Sequence, residues 1–553
     1  MFLKPLFFQK KIRNNSPMLL KIDNLEISIS KIPGNPVNVD NHLHPYLAAY
    51  CNISPDNIAE YTILNKSIDA RRNIPALVYS VVFKLKPESS VTPLRASELS
   101  ESELEQTLNA QITLPVAPTG LKHPIIAGTG PAGLMAAYIL ALAGCEPVIL
   151  DRGFDVDLRK QDIDKFEYSR KLNSESNYLI GEGGAGTFSD GKLYTRTRDQ
   201  HIRFILKTFT DNGAPKEILY LKRPHIGSDI LPAMIKNIRK KIEDLGGKFI
   251  FGQAVKDIII HDGNCTGVIL ADDSRLEAPA IILAHGLGGR ELTGQLMQRG
   301  VDHQLKGFQL GCRIEHRQDF IDSNQYHLKK RPAFLGAAEY NLVSRPPANC
   351  ETSGSSSFCM CPGGEIVFSS ATERRLSTNG MSRFSRNGNF ANSCLIVNQS
   401  PELFQSPTQA YRFLDELEQQ AFELGGGDYT APAQDAEAFV NQAAKLSKLE
   451  SSYCFGLKSA RIDQLLPNNT FEAISTALKY FDRTFKGFMK EGKIVGIETC
   501  ISSPVRFIRN PETLASSLSR LYIAGEGAGY AGGIVSAAAD GIKIAEKILN
   551  RKY

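Results

Sequence analysis

The chain has 553 residues, enough for two or three domains with ample core, and its 42% hydrophobic and 22% charged content is that of an ordinary folded protein. A formal net charge of +5 is small for this length, so composition makes no case for nucleic-acid binding. Ten cysteines are scattered without a disulfide framework, as in a cytoplasm that keeps thiols reduced. The close pair Cys359-x-Cys361 has too few ligands for zinc, so no metal is expected, and it lacks the C-x-x-C or C-x4-C spacing of a redox disulfide.

Residues 1–18 are basic with a broken apolar run, and they read as a flexible tail with Met18 as an alternative start. Residues 19–92 predict a small α+β domain: LLKIDNLEISIS alternates as a strand, HPYLAAYCN and SPDNIAEY predict helices, and ALVYSVVFKL is a strand. Ser54-Pro55-Asp56 carries a cap and a proline suited to a helix start. KSIDARRN falls between these elements as a solvated charged stretch. Residues 93–120 are a linker with one short helix, in a wider stretch rich in Ser, Glu, Thr and Pro.

The stretch from Lys122 to Gly153 organises the chain. An apolar strand, Pro124 to Ala127, runs into Gly128-Thr129-Gly130-Pro131-Ala132-Gly133 and then an alanine-rich helix. In such a G-x-G-x-x-G turn, Gly128 permits the tight turn, Gly130 the approach of a pyrophosphate, and Gly133 helix–strand packing. The helix N-terminus offers N–H groups and a positive dipole end. A second strand ends at Asp151, placed for ribose hydroxyls, followed by Arg152. No charge lies between His123 and Glu146, but strand, turn and helix account for the glycines and prolines that interrupt this segment, so it is not a membrane span.

A second glycine loop, Gly181 to Lys192, predicts further ligand contacts through Gly183, Gly184, Ala185, Gly186, Thr187, Ser189 and Lys192. Strands follow at 248–260, with Val255 as a cofactor contact, at Gly267 to Ala271, and at Ala280 to Ala284, which leads to His285-Gly286. Residues 301–500 change character: FQLGCRIEH and GEIVFSSA predict strands, and helices are expected from Thr408 to Gly425 and from Phe471 to Gly487. This is an inserted, mainly antiparallel α+β substrate domain. Residues 121–300 and 501–553 form the two parts of one nucleotide-binding domain.

The last part has a strand, Leu521 to Ala524, then Gly525-Glu526-Gly527-Ala528-Gly529, then Gly532-Gly533 and a helix from Ile534. A second strand-glycine-helix about 400 residues after the first, on the order of the whole chain, implies a cofactor longer than NAD held from both ends. Glu526 is placed for a ribityl hydroxyl, and the last helix would point its N-terminus at the flavin N1 and C2 carbonyl. The expected fold is α/β, a three-layer Rossmann-like FAD-binding domain with the inserted domain and the small N-terminal domain. FAD is expected to bind non-covalently.

These segments resemble the FAD-dependent dehydrogenase-like proteins described as NAD(FAD)-utilising dehydrogenases, within the glutathione-reductase-type flavoproteins. The resemblance runs through KSIDARR at 66, GTGPAGL at 128, GEGGAGTFSDGKL at 181, RPHIGSD at 223, FCMCPGG at 358, STNGMS at 377, APAQ at 431, SSPVR at 502 and GEGAGYAGGIVSAAADG at 525. It implies FAD binding and an oxidoreductase fold. Three positions depart from the pattern: Asp151 replaces a more usual glutamate, Ala284-His285-Gly286 replaces Ala-Thr-Gly, and Cys500 stands where the family's Thr-Arg-Thr-Ser-Ser-Pro has arginine.

A bound flavin needs from the protein position, electrostatics and one proton donor. His225, with Asp229 as partner, is the expected donor, set against a plain backbone-bonding role. Arg374, Arg375, Arg383 and Arg386 offer a positive rim, with a solvated face as the default. The reaction expected is hydride or electron transfer to or from a small organic substrate. Its electron partner would be diffusible NAD(P)H or a quinone. Two other readings compete: a flavoprotein acting on tRNA or an isoprenoid lipid, and a non-catalytic flavin holder. Neither a nucleic-acid partner nor a transmembrane segment is expected.

Overall fold

The computed structural model describes residues 19–551 except 35, 37, 88, 90, 92, 196 and 347–353. The expected tail 1–18 and the alternative start at Met18 lie outside the described residues. The chain divides into a smaller unit (1–109, 220–222 and 332–334) and a larger unit holding the rest.

In the smaller unit four strands pair antiparallel in the order Ile58–Asp69, Ala76–Leu85, Leu19–Ser28, Ser97–Glu98, with the helix His44–Cys51. SPDNIAEY is not helical. Ser54 caps only a single turn at Pro55–Asn57, and Ile58 begins a strand paired with Ala76–Leu85 along its length. The β-branched and aromatic residues Ile58, Tyr61, Thr62, Ile63 and Ile68 favour the pleated surface over the local helix-start signal. KSIDARRN is accordingly split between strand and turn. Lys66 sits inside the strand with its ammonium 2.5 Å from Asp40, a buried carboxylate that also accepts from the Tyr79 hydroxyl at 2.8 Å.

The larger unit is built on a five-stranded parallel sheet in the order Leu521–Ile523, Ile281–Leu283, Ile125–Ala127, Val148–Leu150, Lys248–Ile250. Period-two side chains divide its faces. Ile126, Ile149, Ile282 and Tyr522 pack with the helices Pro131–Leu142, Ile534–Leu549, Ile202–Asp211 and Leu231–Asp244. Ile125, Leu150, Ile281, Leu283, Leu521 and Ile523 pack instead with the antiparallel strands Val255–His261 and Asn264–Leu270 and the helix Arg290–Gln298. Helices, parallel sheet and antiparallel sheet thus make three layers in a mixed α/β unit.

In sequence, between the helix Arg290–Gln298 and the final strand Leu521–Ile523, a seven-stranded sheet is inserted. It runs Val343–Ser344, Ser355–Cys361, Phe390–Gln399, Phe308–Arg317, Lys493–Glu498, Ala431–Asp435, Leu457–Ser459, antiparallel except for its last pair. The expected strand GEIVFSSA is Glu365–Phe368, which pairs with Thr378–Met381 apart from this sheet. The long helices are Pro407–Gly425 and Asn468–Thr484. No helix among the described residues is long and apolar enough to cross a membrane.

The two helices that begin at glycine turns cross in tight contact. A Cβ at Gly541 would collide with the backbone carbonyl of Ala132, so glycine is what lets the last helix lie on the first. Replacing Gly541 by valine should therefore cost about 1–3 kcal/mol through overpacking, read as a lowered midpoint in denaturant unfolding. An unchanged midpoint would show that the crossing is loose.

Candidate cofactor and substrate site

One cavity of about 1220 Å³ opens within the larger unit. That exceeds the ~300–1,000 Å³ of ordinary small-molecule sites, leaving room for a dinucleotide and a substrate together. The helices Pro131–Leu142 and Ile534–Leu549 both start at its wall, with N-caps Gly130 and Gly533 that supply no side-chain cap. First-turn N–H groups of a helix have no partner within it, so two such ends offer donors and positive dipole charge to an anionic ligand. Gly130 gives the more pointed observation. A Cβ there would meet no protein atom nearer than the Gly184 Cα at 4.0 Å, so the neighbouring protein atoms leave space there for a ligand to approach the backbone.

The second glycine loop is held by one buried cation. Arg159, fully buried on the helix Val156–Ser169, donates to the carbonyls of Asn177, Tyr178, Gly181, Glu182 and Gly184 at 2.7–3.1 Å. It also donates to the Thr187 hydroxyl at 3.2 Å, and burial pulls its pKa down to about 10. These bonds fold the loop against the first glycine turn, where Gly183 N–H donates to the Thr129 carbonyl at 3.1 Å.

Of the residues expected at the cofactor, all line the cavity except Gly133, Gly183 and Thr187. Gly133 packs under the Gly128 carbonyl, and Thr187 is turned inward to the Glu182 carbonyl. Asp151 lines the wall, but its carboxylate already accepts from Thr129 N–H at 2.9 Å, the Thr129 hydroxyl and Gly153 N–H at 2.8 Å, and burial raises its pKa. Arg152 is paired with Glu175 at 2.5 Å. Glu526 accepts from Ser503 N–H at 2.8 Å and is likewise raised by burial. His285 donates through Nε2 to the Thr293 hydroxyl, which itself donates to the Gly289 carbonyl. Its Nδ1 is buried without a protein partner, and burial holds the ring neutral with a pKa of about 4.

His225 lies outside the cavity wall. Its Nε2 donates to the Phe384 carbonyl at 3.0 Å, while Asp229 accepts from Phe384 N–H at 2.8 Å and so acts on the backbone, not on the imidazole. Burial lowers the His225 pKa to about 4. Its segment pins the glycine loop instead: Leu193 N–H donates to Pro224 and Ile226 N–H to Gly191. Among the four arginines, Arg386 is no solvated residue. It is buried and paired with Asp190, Nε to Oδ1 at 3.0 Å.

The inserted region supplies wall residues that the sequence analysis did not place at the cofactor: Tyr340, Asn379, Cys359 and Glu498. Glu498 is buried 2.6 Å from the guanidinium of Arg313, which is itself fully buried and donates to Asn379 at 2.5 Å. Burial lifts the Glu498 carboxyl to about 7, with Arg313 offsetting part of the rise. Lys192 points to the same end, 2.6 Å from Asp190. At Cys500, where arginine was expected, the Arg290 guanidinium lies 3.6 Å from the sulfur.

Residues 307–500 match the family described as FAD-dependent protein, C-terminal domain-like, and residues 21–84 match a domain of unknown function, DUF8436. The match to an FAD-dependent domain makes the chain a flavoprotein with FAD as its cofactor. It belongs to the same family as an uncharacterized protein of Clostridium beijerinckii, which is 37% identical over 545 residues, 97% of this chain and 99% of that protein. A probable electron transfer flavoprotein-quinone oxidoreductase, YdiS of Escherichia coli K12, is 26% identical over 176 residues, 30% of this chain and 38% of its own length. Among solved structures, CtdE in complex with FAD is 12% identical with a TM-score of 0.32, covering 77% of this chain and 83% of that one. L-proline dehydrogenase from P. horikoshii is 12% identical with a TM-score of 0.32, covering 80% of this chain and 95% of that one.

Removing the Arg159 charge leaves the glycine-loop carbonyls without their donor. Arg159→Met should destabilise the protein by about 3–5 kcal/mol, the scale of a broken buried ionic network, and weaken FAD retention on gel filtration. A variant as stable and as yellow as the wild type would show that the loop holds itself.

Proposed function

We propose that the protein is a non-covalent FAD enzyme that moves hydride or electrons between a small organic substrate and a diffusible partner. The supporting observation is that one cavity carries both uncapped helix ends and the side chains of the inserted sheet. FAD supplies two-electron and one-electron transfer when bound. The helix turn at Gly130 would take the pyrophosphate, and Gly184 to Gly186 with Gly532 and Gly533 would hold the flavin end. Glu526 would orient the ribityl chain.

Residues 301–500 then serve as the substrate cap. Asn379 and Tyr340 orient the substrate, and Glu498 holds or releases the proton that accompanies transfer. His225 keeps a backbone-holding role. The reading stays within the glutathione-reductase-type flavoproteins, and the free cysteines among the described residues support a cytoplasmic setting. NAD(P)H is the proposed donor, and the relative named as a quinone oxidoreductase supports trying a quinone as acceptor.

Anaerobic holoprotein given NADPH or NADH and then a quinone should lose and regain its flavin absorbance at about 450 nm. A band that responds to neither would remove this reading of the partners. Because Glu498 keeps its proton up to about pH 7 and loses it above, flavin reduction that needs this donor should slow as pH rises through that value. Glu498→Gln should retain FAD and show no such inflection. An inflection that survives the substitution would assign the proton to another group.

A further inference from the structure

Cys359 and Cys361 end the strand Ser355–Cys361, where its pairing with Phe390–Gln399 slips register between Phe358 and Cys361. Such bulges re-aim side chains beside active sites. Cys359 has φ of 46°, left-handed for a residue that is not glycine, a conformation costing about 1–3 kcal/mol that the surrounding structure must hold. Arg313 helps to hold it by donating to the Cys359 carbonyl at 3.0 Å. The result is that Cys359 lines the cavity while Cys361 is fully buried behind it.

The Lys192 ammonium lies 4.0 Å from the Cys359 sulfur and 3.7 Å from the Cys361 sulfur. Charge at this end is uneven. Lys192, Arg313 and Arg386 face the carboxylate of Asp190 and the carboxyl of Glu498, which burial raises to about 7, while Arg223 and Glu339 cancel one another. Net positive charge is left for an anion. Both thiols are free.

We infer that Cys359 is the nucleophile of this cavity, a resident thiolate with Lys192 as counter-ion, and that the substrate it takes is a carbonyl compound with an electrophilic carbon. The thiol chemistry agrees. The S–H of Cys361 donates to the Cys359 carbonyl at 3.3 Å. Hydrogen bonding from the Cys361 side chain, with the charges of Lys192 and Arg313, holds Cys359 well below the ordinary thiol range despite its burial, while Cys361 is pushed well above it. Thiolate, not thiol, is the attacking form. In the step, the Cys359 sulfur forms a bond to the electrophilic carbon, and the carbonyl π pair moves onto oxygen. That oxygen takes the proton held by Glu498, leaving Glu498 as carboxylate, and no electrons leave the adduct. The inference rests on the cavity being the FAD and substrate site, and it names the substrate class for that site.

The test is labelling of purified holoprotein with acrylamide, itself a conjugated carbonyl electrophile, at several pH values, with each cysteine peptide quantified by mass spectrometry. Cys359 should label at least about tenfold faster than Cys361, at a rate nearly flat between about pH 6 and 8, whereas an ordinary thiol gains reactivity up to about pH 8.5. Lys192→Met should move the onset toward that ordinary range, and the wild-type pH profile stands as evidence if this variant does not fold. Labelling of Cys359 that follows an ordinary thiol profile, or no labelling at all, overturns the inference. Flavin absorbance read on the same sample separates the two claims. Its absence would overturn the FAD reading, while the labelling profile would still report on the thiolate.

Discussion

The buried guanidinium of Arg159 is the interaction on which the cofactor end of the molecule depends. A fully buried cation is tolerable only if its donors are satisfied, and here five backbone carbonyls from one loop do so. The loop needs the cation for the same reason, since a glycine-rich turn with no strand partner would otherwise bury unsatisfied carbonyls. Asp151 and Glu182 add favourable charge to the site from either side. The same carboxylates are anchored elsewhere, Asp151 on the first glycine turn and Glu182 on Val156 N–H at 2.8 Å and on Arg239. First turn, second loop and the helix Val156–Ser169 therefore behave as one assembly.

That assembly explains how parts far apart in sequence share a cavity. The last helix is laid against the first by the close approach at Gly541, which brings Gly533 to the wall that Gly130 already forms. At the other end Asp190 ties the glycine loop to the inserted region by pairing with Arg386. The RPHIGSD segment adds backbone bonds on both sides, Ile226 to Gly191 and Ser228 to Ser382. Charge pairing and backbone hydrogen bonds register the substrate end against the cofactor end.

The nucleotide-binding half was legible because its signals are local. Glycines at fixed offsets between an apolar strand and an alanine-rich helix state the turn, and a second strand-glycine-helix run extended this to the last helix. In SPDNIAEY, a local cap signal was outweighed by strand pairing with Ala76–Leu85, which no window of eight residues contains. Arg159 was illegible because an arginine in a charged helix looks solvated until the loop it serves is folded over it. Glu498 and Cys359 take their chemistry from Arg313 and Lys192, which lie about 185 and 167 residues away in sequence and next to them in space. His225 carried a residue type suited to proton transfer, but its position is set by the backbone of Phe384, and residue type alone could not reveal that.

The central claim is that the cavity between the two uncapped helix ends holds FAD without a covalent bond. Heat-denaturing the purified protein, removing the polypeptide and identifying the flavin in the supernatant by chromatography tests it most directly. About one intact FAD released per chain is the result predicted for a dinucleotide held by backbone N–H groups and helix dipoles alone. Flavin remaining on the denatured chain would contradict non-covalent binding. No flavin at all, after prior incubation with FAD, would contradict the assignment of the cavity itself.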